Sequence, residues 1–275
     1  MSHWLEEQIT SQRLAGASVL IGRRGEVGYV GTAGMADVER ATPFAEDTIV
    51  RIFSMTKPIT SVAAMMLYEQ GCFQLDDPVA KYLPEFAETK VWKGEGHGLA
   101  DVESQRSPML IKHLLTHTSG LTYGFMNSNV VDEAYRARDL EFSGNRAALA
   151  QCVEELASVP LVCQPGSQWN YSVSIDVLGR LVEIWSGQTL AKFFNDHIFV
   201  PLEMRDTGFF VAPENQSRFA ALYSPLSGGD MSSVGSKSAP TAAQPRGGLK
   251  QMESSIRSAY FKDPALYSGG GGLTG

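Results

Sequence analysis

Ser54 and Lys57 stand three residues apart in Ser54-Met-Thr-Lys57, at the head of an apolar-periodic stretch. Residues at that spacing share one face of a helix, with Cβ atoms about 5–6 Å apart, so the Lys57 nitrogen reaches the Ser54 hydroxyl. A serine hydroxyl alone is a poor nucleophile and needs a neighbouring base. A lysine serves as that base when desolvation lowers its pKa. A helix N-terminus adds free N–H groups and partial positive charge, which favour a developing anion. The spacing by itself is unspecific, because Thr189-Leu-Ala-Lys192 repeats it. A bare match of this kind is ordinarily a helix cap followed by a solvated lysine.

The elements that must hold this pair are legible around it. Ile59, Val62, Ala63, Met66 and Leu67 form one apolar stripe, which predicts a helix beginning near Ser54. Pro58 suits its first turn, where a missing N–H costs nothing, and Gly71 suits its C-terminal cap. Upstream, Ala17–Gly22 and Glu26–Gly31 read as strands joined at Arg23-Arg24-Gly25. Their glycines do not make a Gly-x-Gly-x-x-Gly opening a helix, so no nucleotide loop is assigned. Leu75–Pro84 reads as a short helix with Asp77 as N-cap and Pro78 first in the helix, and residues 90–108 read as a loop. Met109–Leu121 reads as a short apolar helix ending in a turn, and further helices are expected over 145–159, after Tyr171 up to Gly187, and over 190–199. Residues 224–248, rich in Ser, Gly, Ala and Pro, read as a long exposed loop. Tyr171 falls on the turn opened by Pro165-Gly166, where side chains carry function more often than in helix middles. Its alternative reading is an interfacial aromatic. His113 and His117, four apart, lack an acidic or cysteine partner nearby, and packing or capping is expected of both.

Composition narrows the classes. The chain has 275 residues, room for one large domain or two subdomains, and a net charge of -7. With scattered Lys and Arg, that balance argues against nucleic acid as a partner. No apolar run spans a membrane. The N-terminus reads as a short acidic amphipathic helix without the features of a secretory signal, which predicts a cytoplasmic protein. Cys72, Cys152 and Cys163 are widely separated, as expected of free thiols in a reducing compartment. No metal, nucleotide or flavin is implied.

Taken in order, these stretches resemble the serine β-lactamase and penicillin-binding-protein family, and most closely its class C-like branch and the family VIII carboxylesterases. The resemblance rests on Ser54-Met-Thr-Lys57 and its helix, Leu75–Phe86, Ile111–Leu121 with its His-Thr-Ser-Gly, Pro165-Gly166 through Tyr171, Pro201–Phe209, and Ser268-Gly-Gly-Gly-Gly-Leu273. It runs from about residue 5 to the end. It implies an α+β fold, an antiparallel sheet flanked by helices with a mainly helical subdomain. Residues 1–53 and 203–275 would belong to the α/β part and 54–202 to the helical part of one domain, with the site between them. It implies that Ser54 is the acylated nucleophile, that Lys57 takes or relays its proton, and that Tyr171 acts as a shared general base and acid. The Ser54 N–H would be half of an oxyanion hole. Tyr123 and Phe125, after His117-Thr-Ser-Gly, are candidates to line an acyl pocket, with ordinary packing as the alternative.

Two departures refine the expectation. Many β-lactamases and peptidases of the family carry Tyr-x-Asn where this chain reads Tyr171-Ser172-Val173, and valine cannot hold a substrate amide. That favours a carboxylesterase on small esters, with weak action on β-lactams as a side activity, over a β-lactamase or D-Ala-D-Ala carboxypeptidase. A transesterase using an acyl thioester and a non-catalytic fold member are the other readings. The family's Lys-Thr-Gly motif is also missing, and the chain is expected to be incomplete at its C-terminus, with open strand edges, uncovered apolar surface and weak stability. The expected partner is a small ester or β-lactam; the oligomeric state is not readable.

Overall fold

The computed structural model describes residues 1–141, 147–226 and 248–275. The N-terminal helix α1 (Ser2–Thr10) leads into strands β1 (Gly16–Arg23) and β2 (Glu26–Asp37), which pair antiparallel; the short β3 (Thr42–Pro43) joins on the far edge of β2. Arg24 and Gly25 both take positive φ, 56° and 82°, as the tight turn between twisted strands requires. Within this three-stranded sheet β1 has β2 as its one neighbour. Leu20, Ile21, Val27 and Val30 are exposed on the hairpin, the uncovered apolar surface expected from the sequence. A separate antiparallel pair, β6 (Leu222–Pro225) and β7 (Leu249–Glu253), is tied to β2 by the Ala221 N–H donating to the Ala36 carbonyl at 2.8 Å.

The main core lies among the helices. A 3₁₀ turn over Phe53–Met55 runs directly into α2 (Thr56–Glu69), so the predicted helix begins with a tighter turn that holds Ser54. Ala63, Ala64 and Leu67 bury the inner face of α2 against α6 (Ser174–Ser186), the helix expected after Tyr171, whose Ile175, Leu178 and Val182 are buried in the same core. Gly187 ends α6 at φ 68°, in the left-handed conformation for which glycine has no steric penalty. Around this pair pack α3 (Ile111–Leu115), α4 (Val130–Ala137), α5 (Leu149–Ala157) and α7 (Leu190–Phe194). Among the described residues no helix is long and apolar enough to cross a membrane.

Several local expectations need correction. Leu75–Pro84 forms no α-helix; only Val79–Lys81 makes a 3₁₀ turn, and Pro78 before it is extended. The reason is tertiary: backbone groups of 75–79 bond to 109–112, as in the Val79 N–H to Met109 carbonyl contact at 2.8 Å. Asp77 therefore caps no helix and instead accepts from Gln74 N–H, Lys81 Nζ and Tyr82 OH, bonds that hold its carboxyl down at about 2. The stretch 90–108 is not all loop, since β4 (Val91–Trp92) pairs with β5 (Val102–Glu103). The helix expected over 190–199 is α7 followed by one π turn, Asn195–Phe199. Thr189, the unspecific match, is indeed the N-cap of α7, and Lys192 pairs with Asp196. The helix expected over 145–159 is seen as α5, with 145 and 146 outside the described residues, as is most of the predicted 224–248 loop.

Candidate functional site

The residues singled out from spacing converge at the N-terminal end of α2. The Lys57 ammonium lies 3.3 Å from the Ser54 hydroxyl oxygen, and the Tyr171 hydroxyl donates to that same oxygen at 2.6 Å. Tyr171 arrives from 117 positions away, on the loop that enters α6. Lys57 also sits over the Tyr171 ring, 4.6 Å from its centroid, a cation–π contact that fixes both. Phe53, just before Ser54, holds φ at 43°, a left-handed value that costs a bulky residue about 1–2 kcal/mol.

Tyr123 is almost wholly buried, and its hydroxyl is 3.1 Å from the Lys57 nitrogen. The ring stacks on Phe125 at 4.8 Å, so of the two acyl-pocket candidates Tyr123 belongs to the polar cluster around Lys57 and Phe125 backs it. Burial pushes the Tyr123 phenol well above its usual range, with nearby Asp176 adding to the effect, so it remains protonated. Its loop is anchored by Thr122, whose hydroxyl donates to buried Asp132 of α4 at 2.8 Å.

The glycine run, quoted in the sequence only as part of a resemblance, turns out to line the floor of the site. The Gly270 carbonyl accepts from Lys57 at 2.6 Å, and the Gly269 carbonyl accepts from the Thr60 hydroxyl at 2.7 Å. The Leu273 N–H donates to Thr56 Oγ1 at 3.1 Å, and Gly275 exchanges backbone bonds with Val50 at 2.9 and 3.0 Å. The ribbon thus laces Thr56, Lys57 and Thr60 of α2 to the strand-like segment before Ser54. Below it lies Asp176, a buried carboxylate of α6 that spacing did not single out. It accepts from Ser268 Oγ at 2.6 Å and from the Gly270 N–H at 2.9 Å. Burial raises its pKa, while Ser268, the Gly270 N–H and the charge of Lys57 pull it back. A Cβ on Gly270 would lie 2.2 Å from Asp176 Oδ2, so only glycine fits there. The available signal was an acidic residue set between Ile175 and Val177.

No cluster of candidate metal ligands occurs among the described residues. His113 Nδ1 accepts the Leu110 N–H at 3.2 Å at the start of α3, a capping role. His117 lies beside Tyr171, ring centroids 4.8 Å apart. Val173 is fully buried in the helical core, so its side chain offers the site neither a polar group nor surface.

The polar cluster thus sits at the foot of a core helix in an α+β architecture. The chain belongs to the beta-lactamase family, whose sequence profile matches residues 1–273. Esterase EstB of Burkholderia gladioli is 38% identical over 226 residues, 79% of this chain and 52% of that protein. Among solved structures, EstCE1, described as a hydrolase with promiscuous acyltransferase activity, is 31% identical with a TM-score of 0.74, the match covering 98% of this chain and 67% of that one. Simvastatin synthase LovD of Aspergillus terreus is 26% identical with a TM-score of 0.74, covering 98% of this chain and 63% of that one. The chain spans about half the length of the curated relatives it matches.

Proposed function

We propose that this chain carries the acyl-transfer site of a serine hydrolase, a carboxylesterase acting on small, short-chain esters through a covalent acyl-enzyme. One observation carries the reading. The Ser54 oxygen is within hydrogen-bond reach of both Lys57 and Tyr171. In this reading Tyr171 first gives up its phenol proton to solvent, and Ser54 Oγ attacks the ester carbonyl as its own proton passes to the resulting phenolate oxygen. The Lys57 ammonium, held by Gly270 and Tyr123, steadies the negative charge on that oxygen. The C–O bond to the alcohol breaks as Tyr171 returns the proton to the leaving oxygen. Water, deprotonated by the same residue as its phenolate, then cleaves the acyl-enzyme to acid, and the proton passes from Tyr171 to the freed Ser54 oxygen. An alcohol in place of water would give transesterification, a second outcome favoured by the EstCE1 and LovD likeness.

Esters are preferred over β-lactams because Val173 presents no polar group where an amide would have to be held. The test is intact-protein mass after exposure to a fluorophosphonate and, separately, to a penicillin. We expect one fluorophosphonate adduct that Ser54→Ala abolishes, and slow or no penicillin adduct. An adduct that survives Ser54→Ala would remove the proposed nucleophile, and rapid penicillin acylation would return the β-lactamase or peptidase reading.

A further inference from the structure

Two turns that are far apart in sequence meet beside Tyr171. One is His117–Leu121, where His117 takes φ 54°; the other is Asn170–Ser174. They are joined through a continuous line of hydroxyls. Ser119 Oγ lies 2.7 Å from Ser174 Oγ, Ser174 Oγ lies 2.7 Å from Ser172 Oγ, and Ser172 Oγ lies 3.3 Å from His117 Nδ1. All three serines are fully buried, so each hydroxyl proton must be spent inside the line. The Leu121 N–H donates into Ser119 Oγ at 3.1 Å. With that end supplied by a donor, the protons run one way: Ser119 to Ser174, Ser174 to Ser172, and Ser172 to His117 Nδ1. The Ser172 N–H donates to the same nitrogen at 3.3 Å. His117 Nδ1 is therefore a pure acceptor, and the ring proton sits on Nε2.

The same histidine grips the other side of Tyr171, because its carbonyl accepts the Asn170 N–H at 2.8 Å. Tyr171 is thus the single residue between two positions both bonded to His117. The rings of the two residues pack at 4.8 Å, and Trp169 adds an edge contact to His117 at 6.4 Å. The left-handed φ of His117 is what turns its carbonyl and its ring toward the same loop.

We propose that His117 is a positioning residue: as a neutral Nε2–H imidazole it ends the buried hydroxyl line and clamps the loop on both sides of Tyr171, setting the phenol against Ser54. The inference rests on the acyl-transfer reading for its kinetic consequence, and on geometry alone for the tautomer. Burial and the charge of Lys57 lower the His117 pKa to about 4, which keeps Nδ1 free to accept near neutrality. The titratable groups facing the ring are Lys57, from α2, and Tyr171, from its own clamped loop.

Two measurements on the whole protein test it. Long-range ¹⁵N–¹H correlation of the imidazole between pH 3.5 and 8 reads the tautomer without any reaction. We expect Nε2–H throughout the neutral range and titration well below the usual 6.5, and Ser172→Ala to move the Nδ1 resonance. An Nδ1–H tautomer, or titration near 6.5, overturns the proposal whatever the enzyme does. The second measurement is fluorophosphonate labelling of Ser54 against pH, with p-nitrophenyl butyrate turnover. His117→Ala is expected to slow both by about 10- to 100-fold in kcat with little change in KM, since a displacement of the phenol near 1 Å costs on that order. It should also move the alkaline limb of the labelling profile. His117→Asn, which tolerates the left-handed backbone and offers an amide oxygen, is expected to recover most of the rate. A folded His117→Ala protein with wild-type rate and profile overturns the positioning role. Should wild type itself fail to label while the tautomer is as expected, the acyl-transfer reading and the kinetic role fall together and the structural clamp stands.

Discussion

Replacing Tyr171 by Phe removes one oxygen and leaves the ring. That ring is held by contacts that do not involve the hydroxyl: His117 at 4.8 Å, Tyr123 at 5.4 Å, and the Lys57 nitrogen 4.6 Å over its face. The lost bond, 2.6 Å to Ser54 Oγ, lies at the open side of the site, so its loss costs stability no more than about 0.5–1.5 kcal/mol. Its chemical cost is of another order. A positioned acid–base group contributes about 10²–10⁴ in rate, or roughly 3–5 kcal/mol of barrier. Lys57 cannot readily substitute, because its donors already meet Gly270, Tyr123 and Ser54. Tyr171→Phe should therefore melt within a few degrees of wild type while its Ser54 labelling and ester turnover fall about a hundredfold or more. Thermal denaturation and fluorophosphonate labelling on the same sample separate the two effects. A folded variant that labels within about threefold of wild type would refute the assignment of Tyr171 as proton carrier.

Other perturbations address the surroundings. Gly270→Ala forces a Cβ to within 2.2 Å of Asp176 Oδ2, displacing the carbonyl that holds Lys57. Labelling should fall about tenfold or more as the lysine loses its position, even in samples whose circular dichroism is unchanged. Thr60→Val keeps shape but strips the Gly269 carbonyl of its partner at a fully buried position, and chemical denaturation should show a loss of about 1–3 kcal/mol. His117 gives the protein an acid-sensitive window. Its folded pKa of about 4 lies below the ordinary 6.5, so between those values the unfolded chain binds the extra proton. Its contribution to stability is complete above pH 6.5, declines as pH falls toward 4, and changes no further below that. Melting temperature against pH should show that slope, and His117→Asn should flatten it.

The sequence was most informative where one local pattern decided one local structure. The stripe Ile59 to Leu67 and Pro58 fixed where α2 begins, and with it the Ser54–Lys57 pairing. The hairpin at Arg24-Gly25 and the Gly187 stop were equally local. Leu75–Pro84 was misread because its helix signals, Asp77 and Pro78, were overridden by backbone bonds to residues 109–112, a partner no window around Asp77 contains. For the same reason the chain's local patterns did not show that Gly270 holds Lys57 from 213 positions away. Nor did they show Asp176 beneath it, because an acid flanked by Ile175 and Val177 names no partner until the ribbon is folded over it. His113 and His117 looked alike at four-residue spacing, yet one caps a helix and the other clamps a loop. What separates them is the left-handed backbone at His117, a conformation that histidine in a sequence does not announce.

Counting protons around Lys57 shows what the resting site still has to do. An ammonium has three N–H donors, and the Gly270 carbonyl, the Tyr123 hydroxyl and the Ser54 hydroxyl receive them at 2.6, 3.1 and 3.3 Å. Tyr123 is kept protonated by burial, so it cannot take a proton from the cluster. Ser54 Oγ then accepts from Lys57 and from Tyr171 at once, an arrangement that stabilises the oxygen but gives its own proton no base. Attack requires Tyr171 to release its phenol proton to solvent and the Ser54–Tyr171 bond to reverse, so that serine donates and the phenolate oxygen accepts. The shortness of that bond, 2.6 Å, allows the reversal with no movement of heavy atoms. Gly270 and Tyr123 fix the ammonium, His117 fixes the loop carrying the phenol, and the variable left to the reaction is the position of one proton between two oxygens.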